Sequence, residues 1–264
     1  MVPPMSDWNP AQYLRFDNER LQPAIDLLAR IAHPAPRVVY DLGCGTGSGT
    51  AMLRTRYPAA RIVGVDGSAA MLERARREVP DAEFVAADLA GWAAPEPADV
   101  IFTNAALQWL PDHSALFPRL LRSLAPGGVL AVQMPAMDTA PIRRLQGETA
   151  SNGPWAAILA PLVSRAPRIL PPPDYRALIA PHVARFDMWE TIYWHALQGE
   201  DAAVQWSLGT ALRPFVDALA EPMRGAFLAA YAAAVRPHYR PEPDGRTLLP
   251  FRRLFLLARA RDRP

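Results

Sequence analysis

A glycine-rich turn between an apolar strand and a helix, in residues 37–49, constrains this chain more than any other part of its sequence. The run reads Arg-Val-Val-Tyr-Asp-Leu-Gly-Cys-Gly-Thr-Gly-Ser-Gly. Val38, Val39 and Tyr40 are β-forming residues in a short apolar stretch, which predicts a buried strand that Asp41 closes. The turn after this strand decides what kind of ligand the chain can bind.

Alternate glycines form this turn. Gly43, Gly45 and Gly47 permit a tight bend with the backbone close to a ligand. Residues 50–57 predict a helix whose N-terminal N–H groups point back at the turn and suit the polar end of a nucleotide-like cofactor. The dinucleotide pattern G-x-G-x-x-G would need glycine at position 48, which is Ser48. A turn without any ligand is the plain alternative.

The run that starts at Asp41, Asp-Leu-Gly-Cys-Gly-Thr-Gly, resembles motif I of the class I S-adenosylmethionine (SAM) methyltransferases. In that family the carboxylate at the end of the strand lies near the amino-acid part of SAM. A carboxylate here would attract an ammonium group and repel the pyrophosphate of a dinucleotide. The resemblance therefore implies SAM as the cofactor, and Ser48 and Asp41 together disfavour an NAD-dependent oxidoreductase.

Two further acids end predicted strands. The second strand is predicted over 61–66 and ends at Asp66. An acid about 20 residues after the glycine turn binds ribose hydroxyls in this kind of fold, so Asp66 is expected in that role. The third is predicted over 82–87, and Asp88 with Leu89 resembles the adenine-reading motif; the other interpretation of Asp88 is a helix N-cap. Ser68 is expected to cap the intervening helix. The predicted cofactor-binding residues are Asp41, Gly43, Gly45, Asp66, Gly67, Met71, Asp88, Leu89 and Asn104.

A fourth strand over 97–103 runs into the polar segment 104–113. Ligands in doubly wound sheets bind beyond the carboxyl ends of the strands, so Gln108 and Trp109 are expected where a methyl acceptor would lie. A helix over 114–124, a turn at residues 126–128 and a strand over 129–134 follow. Alternating strands and helices predict an α/β fold with a mostly parallel sheet.

The chain changes character after residue 135. Helices are predicted near 142–149, 155–163, 201–208 and 213–236, and long strands over 184–197 and 248–259. We expect one domain with a helical cap over the carboxyl edge of the sheet. Its expected parts are an N-terminal lid and helix (1–36), the SAM-binding core (37–135), cap segments (136–183 and 199–240) and the last strands (184–198 and 247–260).

An amphipathic helix is predicted before the first strand. Its expected apolar face consists of Leu21, Ile25, Leu28 and Ile31. Trp8 and Tyr13 precede it in a polar, turn-prone segment. They either pack on the core or close over the cofactor, and the sequence leaves both interpretations open.

Composition excludes several classes of function. The formal net charge of +2 gives no basis for nucleic-acid binding, and all 28 basic residues are arginine. The single cysteine, Cys44, excludes an internal disulfide and a thiolate metal cluster, and we expect it to be a small packing residue, not a nucleophile. No apolar run approaches membrane-spanning length and no leader is evident, so we expect a cytoplasmic protein that starts at Met1 or Met5.

Blocks beyond motif I, from about residue 6 to residue 261, resemble the bacterial trans-aconitate 2-methyltransferases. They are Trp-Asn-Pro at 8–10 with Tyr13, Asn-Ala-Ala-Leu-Gln-Trp-Leu-Pro-Asp-His at 104–113, Gln-Met-Pro at 133–135, Trp189 with Tyr193 and His195, Gly-Thr-Ala-Leu-Arg-Pro at 209–214, and Asp-Gly at 244–245 with Phe251, Arg253, Leu254 and Phe255. The chain departs from the family in residues 136–170, at Trp194 and at Arg252.

This resemblance implies a Rossmann-like class I fold with seven strands and an antiparallel last strand. It implies methyl transfer from SAM to one carboxylate of trans-aconitate, a small tricarboxylate, with S-adenosylhomocysteine as the other product. A carboxylate is ionised at neutral pH, so no acid or base and no metal is expected; Tyr13, Gln108 and Trp109 would position the reactants. The implied substrate-binding residues are Tyr13, Gln108, Trp109, Tyr193, His195, Arg213 and Arg253. We expect a monomer or weak homodimer.

Other interpretations stay open. His195 could be a core histidine, Arg253 a surface residue at a strand end, and Arg213 a residue that only precedes a helix. The acceptor could be another small acid, or a hydroxyl compound with His195 or His113 as the base. A SAM-binding protein without turnover is the alternative from another class.

Overall fold

The computed structural model describes residues 17–164 and 168–262. Its strands are β1 Val38–Leu42, β2 Arg61–Asp66, β3 Glu83–Ala86, β4 Ala98–Asn104, β5 Leu124–Pro135, β6 Arg185–Leu197 and β7 Thr247–Arg259. Its helices are α1 Asp17–Ala29, α2 Ser48–Arg56, α3 Ala69–Glu78, α4 His113–Arg122, α5 Pro141–Ser151, α6 Ala156–Ser164, α7 Pro172–Ile179, α8 Ala202–Leu208, α9 Arg213–Asp217 and α10 Met223–Val235, with 3₁₀ turns at Leu107–Trp109 and Ala180–His182.

One sheet contains the seven strands in the order β3-β2-β1-β4-β5-β7-β6. The first five strands pair in parallel. Strand β7 is antiparallel to β5 and separates it from β6. The predicted α/β class and the mostly parallel, seven-stranded Rossmann-like sheet with an antiparallel last strand are confirmed.

The central strands are buried along most of their length because they are nearly continuous apolar runs. Val39, Ile101 and Phe102 on β1 and β4 have no exposed surface. Such runs are typical of parallel strands that are covered on both faces. The order of β1 and β4 also brings the polar residues that follow them to one edge of the sheet, because parallel strands end on the same side.

The described residues divide into two compact units. The sheet unit contains residues 20–135, 168–191 and 253–262, and the helical unit contains 17–19, 136–164 and 192–252. The helical unit has an apolar core of its own, in which the rings of Trp155 and Phe227 meet edge to face at 5.4 Å. The expected arrangement of the cap segments over the sheet stays a prediction.

Several local predictions were wrong, and each has a physical cause. Helix α1 buries Ala24, Leu27 and Leu28, and Ile31 is buried just after its end. Of the predicted apolar face, Ile25 is instead 46% exposed. Both faces satisfy a 3.6-residue period, so the apolar pattern could not choose between them.

Prolines and glycines explain the other differences. The helix predicted over 213–236 breaks into α9 and α10 before Pro222, since proline disfavours helical backbone in the preceding residue. Helix α7 was not predicted; its Pro172 lies at the first helical position, where no N–H is needed. Strand β5 runs through the predicted turn with a register shift against β4, because Gly127 has a positive φ of 71° that accommodates the irregularity.

Within residues 17–164 and 168–262, no helix combines the length and the apolar character that crossing a membrane requires.

Candidate active site

The glycine turn is tied to β2 by backbone bonds. The Gly43 N–H donates to the Val65 carbonyl at 2.8 Å. The Asp66 carboxylate accepts from the Gly45 N–H at 2.9 Å and from the Ser68 N–H at 2.8 Å. Asp66 therefore links the turn to the start of α3, and the Ser68 hydroxyl accepts from the Met71 N–H as the predicted N-cap.

Gly43 and Gly45 of the turn differ in what a side chain at each position would meet. A Cβ on Gly43 would lie 2.2 Å from the Cβ of Ala106, so this position must be glycine for the turn to lie against the loop after β4. A Cβ on Gly45 would meet no atom within 4 Å. Open space therefore borders Gly45 on the side where a ligand would meet the backbone.

Asp41 is the most unusual charged group of the turn. Its side chain is 2% exposed and accepts a hydrogen bond from the Thr50 hydroxyl at 2.7 Å. Burial raises the pKa of Asp41 to about 7, the negative charge of Asp66 adds to the increase, and the Thr50 bond opposes it. A buried carboxylate of this kind is stabilised in its charged form by a cation.

The same burial affects Cys44, which lies inside the turn. Burial raises the pKa of its thiol, and the charges of Asp41 and Asp66 raise it further. A thiol in this environment is not a nucleophile, because the thiolate is the reactive form. The observation supports the prediction that Cys44 is a packing residue.

The remaining cofactor candidates surround the turn. Leu89 has a methyl group 3.7 Å from the position of a Cβ on Gly43. Asp88 is exposed and accepts from the Ala90 N–H at 2.9 Å. The residues after Asp88 form a turn, so its alternative interpretation as a helix N-cap was wrong. Gly67 is exposed at the end of β2.

Polar side chains follow β4 at the same edge of the sheet. Gln108 is buried in the 3₁₀ turn, and its Nε2 donates to the Ala105 carbonyl at 2.7 Å. Within the described residues, neither the Gln108 Oε1 nor the Asn104 Oδ1 has a hydrogen-bond partner, although both atoms are buried. Buried polar atoms are normally paired, so these two oxygens are candidate acceptors for a ligand. Trp109 is 45% exposed.

The His113 side chain anchors the 3₁₀ turn through a hydrogen bond to its backbone. Its Nε2 lies 2.9 Å from the Leu107 carbonyl, and its Nδ1 lies 2.5 Å from the Tyr175 hydroxyl. A carbonyl only accepts, so the ring proton is on Nε2 and Nδ1 accepts from Tyr175. Burial lowers the pKa of His113, which favours this neutral form. Both ring nitrogens are engaged, and His113 is a positioning residue for Gln108.

A buried guanidinium and an amide face each other on β7 and β5. Arg253 is 4% exposed, and its Nη1 donates to the Oε1 of the fully buried Gln133 at 3.4 Å. The Gln133 Nε2 is buried without a partner in the described part of the chain. The alternative interpretation of Arg253 as a surface residue was therefore wrong.

The strand register aligns these groups with the turn. Asn104 is opposite Gln133, Asp41 is opposite Phe102, and Arg253 is opposite Pro135. Because residues two apart in a strand share a face, Asp41, Asn104, Gln133 and Arg253 lie on one face of the sheet near the carboxyl ends of the parallel strands. Acceptors occupy β1 and β4, and donors occupy β5 and β7.

The other predicted substrate residues lie in the helical unit or outside the described residues. His195 is buried, with its ring stacked on Trp206 at 4.7 Å. Tyr193 is half-buried on the same strand. Arg213 is half-buried and makes an ion pair with Asp217 at 2.9 Å, so its charge is already neutralised within α9. Tyr13 falls outside the described residues, as does Trp8.

Known proteins resemble this chain over nearly its whole length. A sequence family described as a methyltransferase domain matches residues 39–128. A trans-aconitate 2-methyltransferase of Methylobacterium radiotolerans is 49% identical over 257 residues, which are 97% of this chain and 99% of that protein. A relative of the same name from Azoarcus sp. is 49% identical over 255 residues, covering 96% and 99%. The chain belongs to the trans-aconitate 2-methyltransferase family. It is a SAM-dependent methyltransferase by family.

Solved structures show the same fold at low sequence identity. The YcgJ protein of Bacillus subtilis superposes with a TM-score of 0.59 at 12% identity, covering 90% of this chain and 97% of that one. A phosphoethanolamine N-methyltransferase of Haemonchus contortus in complex with S-adenosylhomocysteine gives 0.58 at 13% identity, covering 98% and 58%. At these identities the likeness concerns the fold alone.

The turn of this family member fits SAM by the chemistry of its groups. Open space borders Gly45, the buried Asp41 carboxylate suits a cationic ammonium group, and the unpaired Asn104 Oδ1 suits a donor. Asp66 and Asp88 are the acids that would accept from ribose and adenine. These four assignments stay predictions. The described residues contain no cluster of His, Cys, Asp and Glu that could hold a metal ion.

Replacing Asp66 by alanine is expected to weaken SAM binding about 10- to 100-fold. The variant would lose charge-assisted hydrogen bonds worth roughly 1.5–3 kcal/mol. Calorimetric titration with SAM measures the change, and circular dichroism controls for loss of the fold. An unchanged affinity in a folded variant would exclude Asp66 from the ribose site.

Proposed function

We propose that this protein transfers the methyl group of SAM to one carboxylate of trans-aconitate, giving a monomethyl ester and S-adenosylhomocysteine. The observation that carries the proposal is the 49% identity to relatives of that name over 97% of the chain. The geometry supports it through Arg253 and Gln133, which place a buried cation and an unpaired amide donor in the same unit as the glycine turn.

Bound SAM would supply an electrophilic methyl group on a sulfonium, which a carboxylate oxygen can displace in line. Neighbouring protein groups have to hold the acceptor and exclude water. Arg253 is suited to pair a carboxylate that is not methylated, since a buried negative charge requires a cation. The Gln133 Nε2 can donate to the same acid. Holding the two reactants in a productive geometry in this way can correspond to an effective molarity of ~10⁵–10⁸ M.

The hydrogen bonds of His113 are compatible with a reaction that needs no general base. Its Nδ1 accepts from Tyr175, and its Nε2 donates to Leu107, so it offers no lone pair to a substrate hydroxyl. This arrangement counts against the alternative of a hydroxyl acceptor with His113 as the base. The roles of Tyr13, Trp109, Tyr193, His195 and Arg213 in holding the acid stay predictions.

A survey of acceptors tests the proposal. Methyl transfer from labelled SAM should be fastest with trans-aconitate, slower with cis-aconitate and citrate, and slowest with monocarboxylic acids. A monoacid or a hydroxyl compound that clearly outperforms trans-aconitate would overturn the proposed substrate. Tight SAM binding without transfer to any acid would favour the non-catalytic alternative.

The proposal extends to the setting of the reaction. The acceptor is a small molecule and not a nucleic acid or a membrane component, the protein acts as a monomer or weak homodimer, and it acts in the cytoplasm. These statements follow the sequence predictions. Light scattering at several protein concentrations checks the oligomeric state.

A further inference from the structure

The connection between the parallel strands β3 and β4 is irregular. It consists of residues 87–97, which are all described and form no helix. Parallel strands are usually joined by a helix, in which the backbone groups pair with one another. The carbonyls of an irregular connection need other partners. Since this connection carries Asp88 and Leu89, the predicted adenine residues, the partners of its carbonyls affect the cofactor site.

One guanidinium group provides these partners. Arg119 lies half-buried in the last turn of α4. Its Nε donates to the Trp92 carbonyl at 2.9 Å, and its Nη2 donates to the Ala90 carbonyl and, at 3.4 Å, to the Leu89 carbonyl. Hydrogen bonds from a charged donor are stronger than those between neutral groups. Arg119 therefore fixes the backbone of residues 89–92.

The bonds of Arg119 reach both predicted adenine residues. The Ala90 N–H donates to the Asp88 Oδ1 at 2.9 Å, so the residue whose carbonyl Arg119 holds also orients the Asp88 carboxylate. The Leu89 carbonyl accepts directly from Arg119, and a methyl group of Leu89 lies 3.7 Å from the position of a Cβ on Gly43. One side chain of α4 thus holds in place the two residues that would meet the base.

Other contacts hold the rest of the connection. The Ala94 N–H donates to the Ser123 hydroxyl at 3.3 Å, and this hydroxyl donates to the Arg119 carbonyl at 3.2 Å. The Trp92 ring packs edge to face against Tyr40 of β1, with the ring centroids 5.1 Å apart. These contacts do not involve the guanidinium group. Its removal is therefore expected to loosen the connection locally and to leave the fold intact.

Arg54 provides a matched comparison in the same unit. It is also half-buried in the last turn of a helix, α2, and its guanidinium also donates to main-chain carbonyls. These belong to Pro58, Ala60 and Asp81, at 3.2, 2.9 and 2.7 Å. They precede the amino ends of β2 and β3, whereas the acceptors of Arg119 follow the carboxyl end of β3. Of the two arginines, Arg119 acts at the edge of the sheet where ligands of this fold bind.

We propose that Arg119 is a positioning residue that sets the preference of the cofactor site for an adenine base. By fixing residues 89–92, it holds the Asp88 carboxylate where the exocyclic amine of adenine can donate to it. A 6-oxo purine is disfavoured there, because its oxygen and the carboxylate are both acceptors. The inference rests on the SAM dependence of the proposed function and on the predicted adenine role of Asp88, and it does not depend on the methyl acceptor.

Binding of base-modified products tests this preference without turnover. S-adenosylhomocysteine and S-inosylhomocysteine differ in the amino or oxo group at position 6 of the purine. The wild type should bind the adenine compound roughly 10- to 100-fold more tightly, as expected for one charge-assisted hydrogen bond. Arg119→Met should lose most of this preference. Arg54→Met should keep it, although both substitutions lower the melting temperature. Calorimetric titration measures the affinities, and circular dichroism at the same temperature checks the fold.

Two further variants show whether Arg119 acts through Asp88. Asp88→Ala should abolish the preference by itself, and adding Arg119→Met should change it no further, because residues that act as one unit are not additive. Arg119→Lys keeps the positive charge and the aliphatic stem but lacks the planar group that spans several carbonyls, so it should recover part of the preference. Arg119→Lys also replaces Arg119→Met in the experiment if the latter does not fold.

The outcomes separate this role from the proposed function. An unchanged preference in a folded Arg119 variant, or an equal loss in Arg54→Met, would overturn the role of Arg119. An unchanged preference in Asp88→Ala would overturn it together with the adenine assignment. A wild type that prefers adenine through Arg119 and transfers no methyl to any acid would retain this role and overturn the proposed function.

Discussion

Replacing Arg253 by methionine is expected to raise the KM for trans-aconitate about 30- to 3000-fold. Arg253 is the most buried arginine of the described residues and faces Gln133 on the sheet. A substrate carboxylate that loses a buried cationic partner costs about 2–5 kcal/mol of binding, and each 1.4 kcal/mol is about tenfold. Steady-state kinetics with labelled SAM measures the change, while the KM for SAM should stay nearly constant.

Arg259→Met is the matched control for this experiment. Arg259 is the last residue of the same strand, is half exposed and makes an ion pair with Asp262 at 3.4 Å. Exposed pairs of this kind contribute about 0–1 kcal/mol, so its kinetics should match the wild type. Equal effects of the two substitutions would indicate general damage to β7. Unchanged kinetics in a folded Arg253→Met would remove Arg253 from the acceptor site.

The sequence allowed prediction of the sheet because its signals are local. Each of β1, β2 and β4 is a short apolar run with a polar residue at or next to its carboxyl end. The turn after β1 required glycines whose positive φ angles, 71° at Gly43 and 54° at Gly45, the structure contains. The parallel arrangement of these strands then follows from the right-handed crossover connections that join alternating strands and helices.

The substrate side was harder to predict because it depends on contacts between distant residues. Gln133 and Arg253 meet only because β7 inserts between β5 and β6, and they are 120 residues apart in the chain. A polar residue inside the apolar run of β5 was a usable signal for Gln133.

His113 illustrates a third kind of limit. Its place after a strand end made it a reasonable candidate base from sequence alone. Its role depends on Tyr175, which lies in α7, a helix that the run of prolines concealed. The hydrogen bonds of a histidine decide its protonation state and its availability, and these bonds come from tertiary structure.

The free energy of unfolding of the SAM-free protein is expected to fall by about 4 kcal/mol between pH 4 and pH 7 through Asp41. The pKa of Asp41 is about 7 in the folded protein, against roughly 3.9 in the unfolded chain. Between these two pKa values the folded state binds more protons than the unfolded state. The contribution of Asp41 to the free energy of unfolding is therefore largest below about pH 4, decreases as the pH rises, and no longer changes above about pH 7. Each pKa unit is worth about 1.36 kcal/mol. Denaturant unfolding of the wild type and Asp41→Asn across this range isolates the contribution, because asparagine does not titrate.

Binding of SAM should reverse this dependence, because its ammonium group would favour the ionised Asp41. The affinity of the wild type for SAM is expected to rise about tenfold per pH unit between pH 5 and 7 and to level off above pH 7. Calorimetry at pH 6 in two buffers of different ionisation enthalpy should show about one proton released per SAM. S-adenosylhomocysteine, which keeps the ammonium group and lacks the sulfonium charge, should give the same proton release, and Asp41→Asn should give none with either compound. Proton release with SAM but not with S-adenosylhomocysteine would assign Asp41 to the sulfonium, and a pH-independent affinity of the wild type would contradict any pairing of Asp41 with the cofactor.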